Sequence, residues 1–198
     1  MTAYLERDEA QRAAWRTRIA SVDPTRFIWV DETGSHVGLA PTYGRAPRGM
    51  RARGAVPRNR GRVTTLIASL TLAGMGPALM LEGGVDTDAF AAYVTRLLAP
   101  TVRPGQIVVL DNLAAHHAAR VRSAIECRGA EVWFLPAYSP DLNPIEEAFS
   151  KLKSLLRRAR ARTRDALTDA IRLALPAITM LDARGWVTHC GYATAQLP

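Results

Sequence analysis

The sequence predicts an α/β domain, with central strands buried on both faces and helices packed against the sheet. Three observations carry this. Phe27-Ile28-Trp29-Val30 and Ile107-Val108-Val109-Leu110 are short apolar runs, the composition of strands covered on both sides. From 107 to 158 strand and helix patterns alternate as β-α-β-α, which implies parallel neighbours joined by crossover helices. Val63 to Leu81, in contrast, holds two aliphatic segments around Gly74-Met75-Gly76, the pattern of a hairpin.

In chain order, residues 4 to 19 read as an amphipathic helix with Leu5, Ala13, Trp15 and Ile19 as contacts, broken by Asp23-Pro24. This is an arm or connector over 1–25, ahead of a core over 26–160 and C-terminal helices over 161–198. The strand at 27–30 stops at Asp31-Glu32-Thr33-Gly34, which puts Asp31 at its carboxyl end; an Asx-turn before Gly34 is the purely structural alternative. His36 to Tyr43 reads as a further strand. Between 45 and 62, arginines alternate with Pro47, Gly49, Gly54, Pro57 and Gly61, the composition of an extended, mobile loop. After Gly83-Gly84, Asp86 or Thr87 caps a helix whose shared face is Phe90, Tyr93 or Val94, and Leu97.

The second apolar strand follows Pro104-Gly105 and ends in Asp111-Asn112. A helix from about His116 to Cys127 comes next, stopped by Gly129, and then a strand from Glu131 to Leu135. In the stretch FLPAYSPDLNPIEEAFSKLK, Asn143 suits an N-cap and Pro144 the first helical position. Ile145, Phe149, Leu152 and Leu156 then form the apolar stripe. Asn143-x-x-Glu146 is also a capping box, a device that needs no chemistry. Thr163 caps another helix carrying Leu167, Ile171 and Leu175, which ends at Pro176. Trp186 and Tyr192 belong to a last helix and tail.

A chain of 198 residues that is 48% hydrophobic is one domain with an adequate core. No apolar run approaches the ~20 residues of a membrane span. The first residues, MTAYLERDEAQR, contain acids and lack the apolar core of a secretion signal, so a cytoplasmic location is expected. Cys127 and Cys190 lie far apart without ligand spacing, which reads as buried reduced thiols rather than a zinc site.

The net charge of +8 is unevenly spread. Seven arginines and no acid lie between Arg45 and Arg62, and seven Lys or Arg and no acid between Lys151 and Arg164; the rest of the chain is net negative. Such blocks suit a polyanion, with a solvated basic face as the plainer reading. Candidate DNA contacts are Arg45, Arg48, Arg51, Arg53, Arg58 and Arg60 in the first block, and Lys151, Lys153, Arg157 and Arg158 in the second.

Ligands of open α/β sheets collect at the carboxyl ends of the strands. Asp31 and Asp111 each end an apolar strand there, and Glu146 opens a helix that follows a third. Three acids brought together repel unless a cation neutralises them. Their oxygen ligands suit Mg²⁺ or Mn²⁺. Two such ions about 4 Å apart stabilise both the attacking and leaving oxygens of displacement at phosphorus.

The order Asp31, then LDN at 110–112, then SPDLNPIEEAF at 139–149, with 34 residues between Asp111 and Glu146, resembles the DDE transposases of the mariner superfamily, including bacterial insertion-sequence members. The resemblance runs from about Phe27 to Trp186. It implies a ribonuclease H-like mixed sheet flanked by helices, and a metal-binding triad of Asp31, Asp111 and Glu146, with Glu147 as the other candidate for the third acid. The four strand candidates before Thr87 are one more than that core needs. The implied reaction is hydrolysis at the element ends with two Mg²⁺ ions (or Mn²⁺), then attack of the freed 3′-hydroxyl on target DNA, with no covalent protein–DNA intermediate. His116 or His117 is then an orienter of the scissile phosphate, or an ordinary helix-start pair. The implied setting is bacterial and nucleoid-associated.

The family carries helix-turn-helix modules ahead of this domain, and only 26 residues precede the first strand here. This implies an upstream polypeptide joined by frameshifting, or a truncated remnant. Alone, the chain is expected to bind DNA through its arginines with little sequence preference, and pairing two DNA ends implies a homodimer. The competing readings are a non-catalytic remnant that binds DNA or a full-length transposase, and a phosphohydrolase using Asp31 as nucleophile.

Overall fold

A computed structural model describes residues 7–192. Strands β1 (Phe27–Ser35), β2 (Thr64–Thr71), β3 (Gly74–Glu82), β4 (Ile107–Leu110) and β5 (Glu131–Phe134) form one sheet in the order β3-β2-β1-β4-β5. The pairs β1–β4 and β4–β5 are parallel, and β1–β2 and β2–β3 antiparallel. The helices are α1 (Glu9–Ala20), α2 (Thr87–Tyr93), α3 (Ala119–Glu126), α4 (Pro144–Ala159), α5 (Arg164–Ala174) and α6 (Met180–His189). The first residues of the helix read at 4–19 lie outside the described residues.

Alternation along the central strands divides the core in two. Phe27, Trp29, Ile107 and Val109 face α1, α4, α5 and α6; Ile28, Val30, Val108 and Leu110 face α2 and α3. Helix α4 lies across the first face through Ile145, Ala148, Phe149, Leu152 and Leu156, all buried. Each of its large side chains contributes about 2 kcal/mol by leaving water, so the helix start is held firmly against the strand ends.

Several expectations need correction. Strand β1 does not stop at Val30. It pairs with β4 only over Phe27–Trp29, but with β2 over Trp29–Ser35, so the antiparallel ladder carries it four residues past Asp31. His36 to Tyr43 forms no strand, because both edges of β1 are already taken and Pro41 has no N–H to give. Its carbonyls are satisfied otherwise: the Arg162 guanidinium donates to Val37 O at 3.1 Å and Leu39 O at 2.7 Å. The loop reading of 45–62 holds, for no helix or strand lies between Ser35 and Thr64. Leu97 is 37% exposed and Leu98 takes its place in the core, because Val94–Leu98 is a wide π-type turn that adds a residue. The segment read as one helix from His116 begins as a separate 3₁₀ turn, Ala114–His117. Cys127 is exposed and only Cys190 is buried, where burial pushes its thiol up to about 12.

The hairpin turn falls at Leu72-Ala73, so Gly74-Met75-Gly76 belongs to β3. The ladder shifts register between Ala68 and Leu70, and there a Cβ on Gly76 would run into the Ser69 hydroxyl, while Ser69 Cβ stays 3.6 Å away. Gly76→Ala is therefore expected to destabilise by about 1 kcal/mol. Ser69→Ala in the same chain should remove most of that cost, which a double-mutant cycle in urea would measure.

Candidate active site

The parallel register pairs Trp29 with Val109. Two residues further on, Asp31 and Asp111 stand side by side where β4 ends, on the face covered by α4. Asp31 is thus mid-strand in β1, yet at the carboxyl end of the parallel part of the sheet. Beyond β5 the chain turns through Pro140–Leu142 into α4, which brings Glu146 to the same place. Asp31, Asp111 and Glu146 line one open cavity of about 470 Å³, with Asn112, Tyr138 and Asn143 among its other walls. Glu147 does not line it; its Oε1 lies 3.3 Å from His189 Nδ1.

Asn143 is the N-cap residue of α4, but its side chain caps nothing. Its Nδ2 donates to Asp31 Oδ2 at 2.9 Å, and its buried Oδ1 has no partner among the described residues. The capping-box reading therefore fails: the amide has been diverted from the helix to the carboxylate. Asp31 Oδ1 accepts from the Glu32 backbone N–H at 2.7 Å, so both of its oxygens are fixed. Only 7% of Asp31 is exposed. Burial first, then the nearby Glu146, Asp111 and Glu32, push its carboxyl up to about 8. Glu146, at the cavity mouth, is raised by partial desolvation and by Asp111, against the pull of Lys153.

His116 faces no open surface. Its side chain is fully buried, with Nδ1 2.6 Å from Asp111 Oδ1 and Nε2 3.0 Å from Glu32 Oε1. Burial lowers its pKa, but the adjoining carboxylates of Asp111 and Glu32 overcome this and raise it to about 10. His117 is instead near the surface, stacked on Phe134 and bonded through Nε2 to Asn112 Oδ1 at 2.6 Å.

The turn that delivers Glu146 is held from two sides. Arg12, buried in α1, makes a two-pronged contact with Asp141 at 2.9 and 2.6 Å, and the Tyr192 hydroxyl donates to Leu142 O at 3.0 Å. Tyr138, in the same segment, has φ +53°, a left-handed conformation that a bulky residue seldom adopts and that recurs at functional sites. The roles of Glu32, His116, Arg12 and Asp141 were missed in the sequence. Each depends on a partner 84 or more residues away, or on the far face of the sheet, and only the alternation along β1 hints that Glu32 and Asp31 point to opposite sides.

Among the basic candidates, Arg45, Arg48, Arg51, Arg53, Arg58 and Arg60 are all exposed on the loop between β1 and β2. That loop leaves and rejoins the sheet at the pair Ser35–Thr64, the same end as the acids. On α4, Lys151 is tied to Asp182 at 2.5 Å, Lys153 acts on Glu146, and Arg157 and Arg158 occupy the last turn.

Residues 26–168 match the DDE superfamily endonucleases. The chain belongs to that family. The DDE domain is 25% identical over 188 residues to the Tc1 transposase of Caenorhabditis elegans, a match covering 88% of this chain and 69% of that protein. Its fold is similar to that of the Mos1 transposase in a paired-end complex with the left transposon end (TM-score 0.74, 19% identity, 96% of this chain and 61% of that one). It is also similar to the Mos1 catalytic domain solved with Raltegravir and Mg (TM-score 0.71, 18% identity, 96% and 92% covered). The DDE domain thus spans about three fifths of the Mos1 chain in its DNA complex. The mixed five-stranded sheet flanked by helices is a ribonuclease H-like fold, similar to that of the Mos1 catalytic domain. No helix among the described residues is long and apolar enough to cross a membrane.

Proposed function

We propose that the DDE domain cleaves DNA strands at transposon ends and joins them to target DNA, using divalent cations held by Asp31, Asp111 and Glu146. The observation that carries this reading is the convergence of those three acids on one open cavity. As the side chains stand, no three His, Cys, Asp or Glu among the described residues form a group set to hold a metal. The donor set nevertheless fits Mg²⁺ or Mn²⁺. All three are hard oxygen ligands, and Asp31 is driven toward its neutral form by burial and by its acidic neighbours, a cost that a cation would relieve. Bound there, such ions supply a lowered pKa for the attacking water or 3′-hydroxyl and a counter-charge at the phosphate.

The chain's own residues do the rest. Asn143 donates to Asp31 and fixes which way its carboxylate faces. Lys153 offsets the acid charge on the α4 side. The exposed arginines of the β1–β2 loop, at the site's end of the sheet, supply phosphate contacts that carry no sequence information. Joining two transposon ends requires two such sites, so the acting species is a homodimer, with end recognition supplied by a helix-turn-helix segment outside this domain.

The test is nicking of supercoiled plasmid with Mn²⁺ or Mg²⁺. Asp111→Asn and Glu146→Gln are each expected to reduce nicking at least a hundredfold, whereas Glu147→Gln keeps it within about threefold. Undiminished nicking by Asp111→Asn would remove the mechanism.

A further inference from the structure

We propose that His116 and Glu32 are a positioning pair that holds Asp111 in its ligand orientation, so that divalent-metal affinity depends on two residues that touch no metal. The inference deepens the metal-dependent reading above and rests on it.

The His116 ring is enclosed. It lies against Phe90 of α2 with ring centroids 4.0 Å apart, and none of its side chain reaches solvent. Each nitrogen meets a carboxylate oxygen: Nδ1 is 2.6 Å from Asp111 Oδ1, and Nε2 is 3.0 Å from Glu32 Oε1. Nε2 is hydrogen-bonded to Glu32, and Nδ1 is packed at ion-pair distance against Asp111 without an aligned hydrogen bond. The ring is thereby fixed in position and in rotation, and it passes that constraint to Asp111.

The contacts on Asp111 are one-sided. Oδ1 lies against His116 Nδ1 at ion-pair distance and accepts from the backbone N–H of Leu113 at 3.1 Å. Among the described residues no donor falls on Oδ2, and Asp111 lines the cavity. One oxygen is therefore anchored to the protein while the other is left for a cation. Glu32 completes the arrangement from the far face of β1. Successive strand residues point to opposite sides, so Asp31 serves the cavity and its neighbour Glu32 the support beneath. Glu32's side chain is only 13% exposed. Burying an acid and a histidine together is costly where apolar side chains would pack as well, and that argues for a role in orientation rather than stability. Hydrogen-bonded partners of ligating carboxylates typically raise metal affinity by ten- to a hundredfold.

The experiment measures Mn²⁺ affinity of the full chain by the electron paramagnetic resonance signal of free Mn²⁺. The same preparations are assayed for melting temperature and for nicking across a range of Mn²⁺ concentrations. His116→Ala is expected to weaken Mn²⁺ binding by ten- to a hundredfold and to raise the Mn²⁺ needed for half-maximal nicking by the same factor. His116→Gln, which keeps one amide donor, should recover part of the loss, and Glu147→Gln should bind as wild type. Glu32→Gln preserves volume and packing, so it serves if His116→Ala fails to fold; it should weaken binding at least threefold. If wild type binds Mn²⁺ and nicks, but folded His116→Ala or Glu32→Gln binds Mn²⁺ within twofold of it, the positioning role is wrong and the triad reading stands. If wild type neither binds Mn²⁺ nor nicks, both readings fall together.

Discussion

Asp31→Asn should abolish nicking, by at least about a thousandfold, without lowering the melting temperature. The two halves of that result have separate causes. Activity goes because an amide is a poor ligand for Mg²⁺ or Mn²⁺, and several kcal/mol of charge stabilisation at phosphorus go with it. Stability holds because the metal-free protein gains little from the charge. Asp31 is buried beside other acids and its carboxyl sits at about 8, so near neutral pH it is already mostly protonated, and a neutral amide of the same shape replaces it without a charge penalty. The amide oxygen accepts from the Glu32 N–H, and the NH₂ donates to Asn143 Oδ1 once that amide turns over. Loss of both activity and fold in this variant would mean that Asp31 serves mainly as a structural acceptor for Asn143. Nicking assays and thermal melts without added metal, run side by side, separate the two.

Asp141→Asn should lower stability by about 2 kcal/mol, roughly 4–8 °C in Tm for a domain of this size. Arg12 has no exposed side-chain area, whereas Asp141 is 31% exposed and also lies near Arg7. Removing the acid leaves a buried cation with only the largely exposed Glu9, 3.4 Å from its Nε, which is the expensive error. Removing the cation, as in Arg12→Met, leaves a carboxylate that water and Arg7 still reach, and should cost about 1 kcal/mol or less. The pH dependence has a definite sign. The Arg12 guanidinium holds the Asp141 carboxyl below its usual range, so its contribution is present above the unfolded value of about 3.9 and is lost as pH falls through the folded one. The gap between wild type and Asp141→Asn should therefore be full at pH 7 and narrow below about pH 4. Because Asp141 lies in the turn that delivers Glu146, nicking by this variant should also drop about tenfold. Urea titrations at pH 7 and pH 3.5 check the first claim.

Much of the scaffold was legible because it is local. The runs at 27–30 and 107–110 announce strands buried on both faces. Asn143-Pro144 and the stripe through Leu156 fix where α4 begins and which side it buries. The three acids could be named because two end apolar runs and the third starts a helix. The errors share a physical origin. His36 to Tyr43 has strand-like residues but follows a strand whose two edges are both already paired, and a sequence does not show which edges are taken. Leu97 was counted on a 3.6-residue repeat that a π-type turn breaks. Asn143 looked like a cap because capping is what asparagine does locally, until a buried carboxylate 112 residues away competes for its amide.

The sequence by itself determined the class of fold, the candidate acids and the two basic blocks, since periodicity, residue chemistry and spacing are properties of short stretches. Tertiary structure alone decided that Asp31 lies mid-strand and still beside Asp111, that Glu146 rather than Glu147 faces the cavity, and that His116 and Arg12 are buried against carboxylates. Those outcomes depend on which strands pair and how far, and on which side chains lose their water when distant elements close on one another. A long-range contact competes with every local alternative, and only the folded chain resolves that competition.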